Sequence, residues 1–407
     1  MRRVVVTGMG LVSALGLDVA SSFKRLHTYK NEVVNLSELK KFKGLNANLA
    51  SVIKDFNPPK DLTRKDLRTM GPVSVLAVVA SKEALKQAKL EDSEEITNGK
   101  TGVAYGSSFG SVEPFLDFYN MIVTCEVSTI TSSSYIKLMP QTAAVNLSLY
   151  FKTTGRIIPT NTACTSGSLS IGYSYEAIKR GDQDIMIAGG AEEFSPTQVA
   201  IFDTMFATST KNDAPSLTPA PFDKDRDGLV IGEGAGTLIL EEYEHAKKRG
   251  VPMFAELVGF GTNTDGTHIT QPTYKTMKIC MEQALKSANL KSSNIGYINA
   301  HGTATARGDI AETTATRELF GESTPISSLK SYVGHTLGAC GALEAIWTIM
   351  MMNNNWFAPT LNLNTLDENC GKLDYIMGEA RNIQTDYVMS NNFAFGGINT
   401  SLVFKKI

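Results

Sequence analysis

The stretch RIIPTNTACTSGSLSIGYSYEAIKRG, residues 156–181, runs from a β-branched apolar segment into an amphipathic helical pattern, and a single cysteine, Cys164, stands at the junction. A strand that feeds directly into a helix is the repeating unit of α/β layering. Thr165, Ser166, Gly167 and Ser168 are small enough to let other chains approach the helix start closely. Working outward, RRVVVTG, TGVAYGSS and DIMIAGGA read as further buried strands, and SVLAVVASKEALKQA reads as a helix. The alternation restarts after Gly250: PMFAELVGFGTN is a strand, YKTMKICMEQALKSANL a helix, IGYINAHGT a strand end and GALEAIWTIMMMN a helix. Two α/β halves are therefore expected, residues 1–250 carrying Cys164 and residues 251–407 carrying the histidines discussed below. Residue-level similarity between the halves is faint, so the duplication rests on element order.

The composition supports a folded chain without pointing to a polyanionic partner. Of 407 residues, 42% are hydrophobic and 20% charged, enough to bury large cores. The net charge of −2 gives no general attraction to nucleic acid or to an anionic membrane. No segment approaches the roughly 18 uninterrupted apolar residues of a membrane span. The N-terminal apolar run is short and glycine-interrupted, unlike a signal peptide. Five cysteines, odd in number and without a CxxC pair, favour neither a disulfide framework nor a structural zinc site. A reducing, cytoplasmic location is expected. Residues 207–228 are rich in Pro, Asp and Ser with no apolar period, and read as a long ordered loop of the kind that borders active sites.

Five motifs carry chemistry or its outline. GMGLVSALG follows the first strand, but Ser13 stands where a dinucleotide-binding turn has its third glycine, so a tight turn out of the strand is the simpler reading. At Cys164 the unsatisfied amides and dipole of a helix N-terminus favour thiolate and can bind an oxyanion on an acylated sulfur. Free cysteine also behaves as a small hydrophobe, so the thiol alone leaves a structural role open. INAHGTATARGDIAE puts His301 at a strand end, and SSLKSYVGHTLGACGALEA puts Lys330 five residues before His335 in a glycine-laced, buried setting. A buried Lys needs a partner, and Glu344 is the candidate. MSNNFAFGGINTSLVF interrupts an apolar strand at Gly396 and Gly397, which suits either a bulge or a swinging loop. One thiol and two imidazoles could ligate zinc, yet the spacing lacks a metal signature and the surroundings offer hydroxyls, so a Cys-His-His catalytic set is the sharper reading and no metal is expected.

TACTSG, NAHGT, KSYVGH and FAFGGIN, in this order along the whole chain, resemble the β-ketoacyl-[acyl-carrier-protein] synthases of the elongating branch of the thiolase-like superfamily. The resemblance implies a five-layered αβαβα fold from two duplicated halves. It implies decarboxylative Claisen condensation with no cofactor. Cys164 would accept the acyl chain, His301 and His335 would hold the malonyl thioester, Lys330 paired with Glu344 would orient them, and the amides of Cys164 and Phe395 would form the oxyanion hole. Thr303 and Thr305 would bind the phosphopantetheine arm, with Thr270, Asp309, Phe393 and Ala394 also on the substrate path. The acidic carrier protein would dock on Arg64, Lys65 and Arg68, joined by Lys211. The family forms dimers, so a homodimer or a pair with a homologous chain-length subunit is implied.

Departures from the pattern sharpen the expectations. Ala394 replaces a glycine before the gating Phe395, and Ile398 replaces a threonine, so a stiffer gate is expected because alanine disfavours positive φ. Phe109 stands where relatives carry a residue lining the acyl pocket, and an aromatic ring there should shorten the pocket or favour a flat, unsaturated chain. LTRKDLRTMGPVS, KLMPQTAAVN and TGRIIPTNTACTSGS resemble the ketosynthases of aryl polyene pathways. A non-catalytic pairing subunit and a Cys-dependent acyl hydrolase are the rival readings. The intact Cys164, His301, His335 and Lys330 count against the first, and the second histidine counts against the second.

Overall fold

A computed structural model describes residues 2–54 and 56–407. The first strand, β1 (Val4–Ser13), is buried along its whole length and seeds both halves. The large sheet continues with β2 (Thr101–Gly106), β3 (Ile157–Thr160), β4 (Ile185–Glu192), β5 (Gly234–Glu242) and β6 (Ala255–Thr264). It is completed by β7 (Tyr297–Asn299), β8 (Pro325–Ser327), β9 (Asp374–Tyr375), β10 (Tyr387–Ala394) and β11 (Ile398–Lys405). Their order across the sheet is β9-β8-β7-β10-β11-β6-β1-β5-β4-β2-β3.

Read outward from the β6–β1 pair, the two sides have the same pattern. On one side β1–β5 and β5–β4 are antiparallel, then β4–β2 and β2–β3 parallel. On the other, β6–β11 and β11–β10 are antiparallel, then β10–β7 and β7–β8 parallel. The fold is duplicated, and β9 adds one strand beyond the repeat. Only Val4–Val6 against Ala255–Leu257 joins the halves edge to edge.

Helices Ser166–Arg180 and Cys340–Asn354 pack on one another and on strands of both halves, forming the middle of five layers. Helices Pro72–Gln87 and Tyr274–Ala288 cover the outer faces, against β1 and β6 respectively. The helix Cys340–Asn354 is buried on nearly every side, as an apolar helix without a polar face must be. Its crossing with Ser166–Arg180 is close: a Cβ on Gly341 would lie 2.6 Å from the Ser168 nitrogen.

The glycines of GMG serve packing rather than a turn. β1 continues through them, and the tight turn expected of GMGLVSALG comes at the motif's end, where Ser13 and Gly16 exchange backbone hydrogen bonds. A Cβ on Gly8 or Gly10 would sit 2.1 Å from the carbonyl oxygens of Ala84 and Ala80 on the outer helix. Gly259 and Gly261 repeat the arrangement, with the Ala284 and Cys280 carbonyls at 2.4 and 2.2 Å. The Gly-x-Gly pair is thus the residue-level mark of the duplication. Gly10→Ala should push the helix off the sheet and lower stability by about 1–3 kcal/mol, read as a reduced urea midpoint. An unchanged midpoint would show that the helix moves freely.

Among the described residues no helix is long and apolar enough to cross a membrane. The 207–228 loop contains one short 3₁₀ turn, Pro215–Leu217, and its two ends border the cleft described next.

Candidate active site

β3 ends at Thr160, and the chain enters the central helix through a strained turn. Ala163 has φ +50, the left-handed region that non-glycine residues rarely adopt. The Ser166 hydroxyl holds this turn, accepting from the Thr162 N–H at 3.0 Å and donating to the Ala163 carbonyl at 2.7 Å. The turn aims Cys164, only 3% exposed, at the meeting of the two halves. The second half repeats it: Leu337 has φ +47, followed by a 3₁₀ turn and the helix at Cys340. Gly338 then occupies the position equivalent to Cys164, where a Cβ would lie 2.6 Å from the Ser108 nitrogen. The duplicated scaffold therefore carries a thiol at one of its two equivalent turns.

His335 comes from the other side. Its backbone is fixed between strands, donating to the Val230 carbonyl at 2.7 Å and accepting from Gly232 at 2.9 Å. Its Nδ1 lies 3.2 Å from the Leu337 N–H, which donates to it, so the ring proton of the neutral imidazole sits on Nε2. Nε2 is 2.9 Å from Cys164 Sγ. His301 follows β7, and both oxygens of Glu312 accept backbone N–H groups there, from His301 and from Gly302, each at 2.7 Å. The two imidazoles meet edge to face with centroids 5.2 Å apart, and His301 Nδ1 has no hydrogen-bond partner.

Ligand atoms of Cys164, His301 and His335 lie within 4.8 Å of one another, a spacing that a zinc ion could bridge. The tautomer of His335 argues for another use, since its Nε2 presents a proton, not a lone pair, to the sulfur.

Burial dominates the electrostatics. It pushes the Cys164 thiol up to about 11, opposed by the Phe395 N–H and by the Lys330 charge. Burial, reinforced by Lys330, holds both imidazoles well below 6.5. Lys330, 1% exposed, bonds Glu344 Oε1 at 2.5 Å, while Asn392 donates to Glu344 Oε2 at 2.7 Å. Burial works against both charges, but the Glu344 carboxylate keeps the lysine above its ordinary value and therefore protonated. The result is a fixed cation beside two neutral imidazoles and a thiol.

A sign follows for pH. A free imidazole gains a proton as pH falls through 6.5, and these two stay neutral there. The histidines should give turnover no acid limb centred between about pH 6 and 7, checked in a Glu192→Gln variant because burial pushes the Glu192 carboxyl up to about 7. A limb in that window in the variant would contradict neutral, buried histidines. By linkage, each histidine binds fewer protons folded than unfolded below 6.5, so stability present above that pH is lost as pH falls.

The beta-ketoacyl synthase N-terminal domain family matches residues 1–246, and the C-terminal domain family residues 254–364. The chain is 38% identical over 413 residues to a 3-oxoacyl-[acyl-carrier-protein] synthase 2 of Vibrio harveyi, covering all of this chain and 99% of the relative. The chain belongs to the beta-ketoacyl synthase family. A crystal structure of a beta-ketoacyl synthase from Burkholderia phymatum superposes over the full length of both chains with TM-score 0.99 and 57% identity. One chain of the complex between the ketosynthase ApeO and its chain length factor ApeC from Xenorhabdus doucetiae is 26% identical with TM-score 0.83, covering 100% of this chain and 98% of that one. Ketosynthases are acyltransferases, and the thiolase-like fold agrees with the layers described above.

In this ketosynthase chain Cys164, His301 and His335 line a cleft of about 630 Å³. Thr270, Thr303, Thr305, Phe393, Ala394 and Phe395 also line it. The Thr303 and Thr305 hydroxyls are 2.9 Å apart.

Three expectations need correction. Asp309 is fully buried and does not line the cleft; its Oδ1 accepts from Ala304 N in the loop that presents His301 and its Oδ2 from Phe222 N in the 207–228 loop, with Arg226 at 3.5 Å, so both oxygens are committed to backbone. Phe109 is absent from the cleft wall, its ring lying 5.5 Å from that of Phe115 on another surface. Ala394 pairs with Ile398 as the last residue of β10 and is not left-handed. The positive φ values belong to Gly396 and Gly397, so alanine adds no backbone strain in this conformation.

Arg64, Lys65 and Arg68 are exposed on and just after a short helix capped by Thr63, and form no ion pair among the described residues. Lys211 is held by its own loop, bonded to the Asp225 carbonyl at 2.8 Å with Asp227 at 3.8 Å.

Three residues escaped the sequence reading. Glu312 fixes the His301 loop, and burial pushes its carboxyl up to about 8. Glu192, raised by burial to about 7, ties Ser108 to Gly338 beside the nucleophile. Arg226, 3% exposed in its side chain, joins Asp309 to Asp367. A helical stripe of buried polar residues at 309, 312, 313 and 316 was the available signal for the first.

Proposed function

We infer that the protein is an elongating β-ketoacyl-[acyl-carrier-protein] synthase that joins malonyl-carrier protein to an acyl chain held on Cys164. The observation that carries this reading is the 2.9 Å approach of His335 Nε2 to Sγ with a second neutral imidazole alongside. In the first half-reaction the Cys164 sulfur attacks the acyl thioester, a new S–acyl bond forms as the carrier's C–S bond breaks, and the Cys164 thiol proton passes to the departing carrier sulfur. The Nε2–H, the Phe395 amide and the Lys330 charge all favour the anionic sulfur. In the second, the malonyl carbonyl oxygen takes hydrogen bonds from His301 and His335 as the C–CO₂ bond breaks. The resulting carbanion attacks the acyl-Cys164 carbonyl, and the thiolate of Cys164 departs. Neutral imidazoles suit this role because each offers a proton to the developing enolate oxygen. Lys330 and Glu344 serve as positioning residues, and the Cys164 and Phe395 amides as oxyanion donors.

The finer assignments belong to the same proposal. The partner is an acidic acyl carrier protein seated in part on Arg64, Lys65 and Arg68. Reversing the charges of Arg64 and Arg68 should raise the KM for carrier-bound substrate about tenfold at low salt, with kcat unchanged. An unchanged KM would remove this patch from the interface.

The chain is proposed to pair with itself or with a homologous chain-length subunit. This is supported by the apolar face of Leu116, Tyr119, Ile122 and Val123, each more than 60% exposed, and by the unpaired outer edge of β3. We place the division between halves near Gly250, and the free thiols suit a reducing cytoplasm.

Incubation with acyl- and malonyl-carrier proteins, followed by weighing the carrier-bound products, tests the reading. A gain of one two-carbon keto unit is expected. Release of free acid would favour a hydrolase, and no change a pairing subunit.

A further inference from the structure

The rim of the cleft carries an aromatic side chain that nothing in the fold uses. Phe206 is 89% exposed, the highest value among the exposed large hydrophobic residues. It stands just beyond the helix Pro196–Asp203, in the left-handed region with φ +53. The helix end is closed by Phe206 N–H to the Asp203 carbonyl at 2.9 Å and Ala207 N–H to the Phe202 carbonyl at 3.0 Å, an arrangement that glycine or asparagine fills with least strain. A phenylalanine here is both strained and fully wetted. Neither property stabilises the isolated chain.

The surroundings say what the ring is for. Phe206 borders the cleft that leads to Cys164, and Ile269, 60% exposed, borders it too. The Ile269 carbonyl accepts from Gly396 in the gating loop at 2.9 Å. One turn back from Phe206, Phe202 meets Phe395 edge to face at 6.2 Å. Arg307, exposed on the same rim, pairs with no carboxylate among the described residues. An apolar collar with an unpaired cation, around the entrance to a buried thiol, fits an acidic protein surface with an apolar centre.

We propose that Phe206, with Ile269, is the apolar seat for the protein that delivers the thioester. The identity of that partner as an acyl carrier protein rests on the condensing reading above. A second copy of this chain is a poorer occupant, because seated here it would cap the cleft against any thioester. Contact with Phe206 also bears on Phe202, hence on Phe395, whose amide reaches the sulfur.

The test is direct binding of a fluorescently labelled holo-acyl carrier protein, measured without turnover at low and at high salt. Phe206→Ser is expected to weaken binding about tenfold, by the same factor at both salt levels, because burial of a ring is not screened. Phe206→Tyr, which keeps the ring, is expected to bind like the wild type. Unchanged affinity of Phe206→Ser would overturn the proposal, as would a loss that disappears at high salt. A change in the sedimentation of Phe206→Ser without carrier would also overturn it, by showing that the ring contacts another copy. Since binding is read apart from condensation, failure of the seat and failure of the condensing reading give different results.

Discussion

Cys164→Ala should lower condensation by about 10³-fold or more while leaving the fold intact. The thiol makes one side-chain contact of consequence, with His335 Nε2, and alanine fills most of the space of a buried cysteine. The loss is therefore chemical: no S–acyl bond forms, so no electrophile awaits the carbanion. The two histidines keep their supports, His335 through Leu337, Val230 and Gly232, and His301 through Glu312. The variant should consequently still release CO₂ from malonyl-carrier protein. Retained acyl transfer in Cys164→Ala would show that another group is the nucleophile. Loss of decarboxylation along with condensation would show that the histidines depend on the sulfur.

The largest effect on stability should come from Lys330→Met. The substitution leaves Glu344, 2% exposed, beside a thioether, with Asn392 as its remaining donor of known geometry. Removing one member of a buried pair costs about 3–5 kcal/mol, whereas replacing both by apolar residues is often neutral. The double variant Lys330→Met with Glu344→Leu should recover most of the lost urea midpoint. Activity should not recover with it. The Lys330 charge adds to the burial that holds both histidines down, so without it they rise somewhat, while burial, the larger cause, still keeps them below 6.5 in the double variant. Equal stability of Lys330→Met and wild type would mean that the pair is not charged.

Much of the site was legible because Cys164 and His301 follow strand ends and His335 follows a glycine after a short helix. Cys164, His301 and His335 are each set among small residues, and such settings mark a chain that must be approached closely. The Lys330–Glu344 pair followed from the need of a buried lysine for a partner. Asp309 was misplaced for an equally physical reason: a carboxylate near a histidine motif looks the same in sequence whether it faces a ligand or a backbone amide. Its neighbours at 312, 313 and 316 show which, since they place it on the buried face of a helix. Phe109 depended on how Ser107 and Ser108 turn onto Glu192, a contact more than eighty residues away. The duplication was faint in sequence because packing demands only two glycines per half, and the rest of each strand is free to differ. Phe206 was hidden because an aromatic residue in sequence reads as core.

The most direct test of the account is a chase of the acyl-enzyme. The protein is incubated with acyl-carrier protein alone and digested, and the acyl mass is located among peptides holding the five cysteines. The account predicts acylation of the peptide containing Cys164, stable in buffer and discharged when malonyl-carrier protein is added, with one CO₂ released per β-ketoacyl-carrier formed. Acyl mass on Cys125 or Cys340, or discharge of Cys164 to free acid without malonyl-carrier protein, would contradict it.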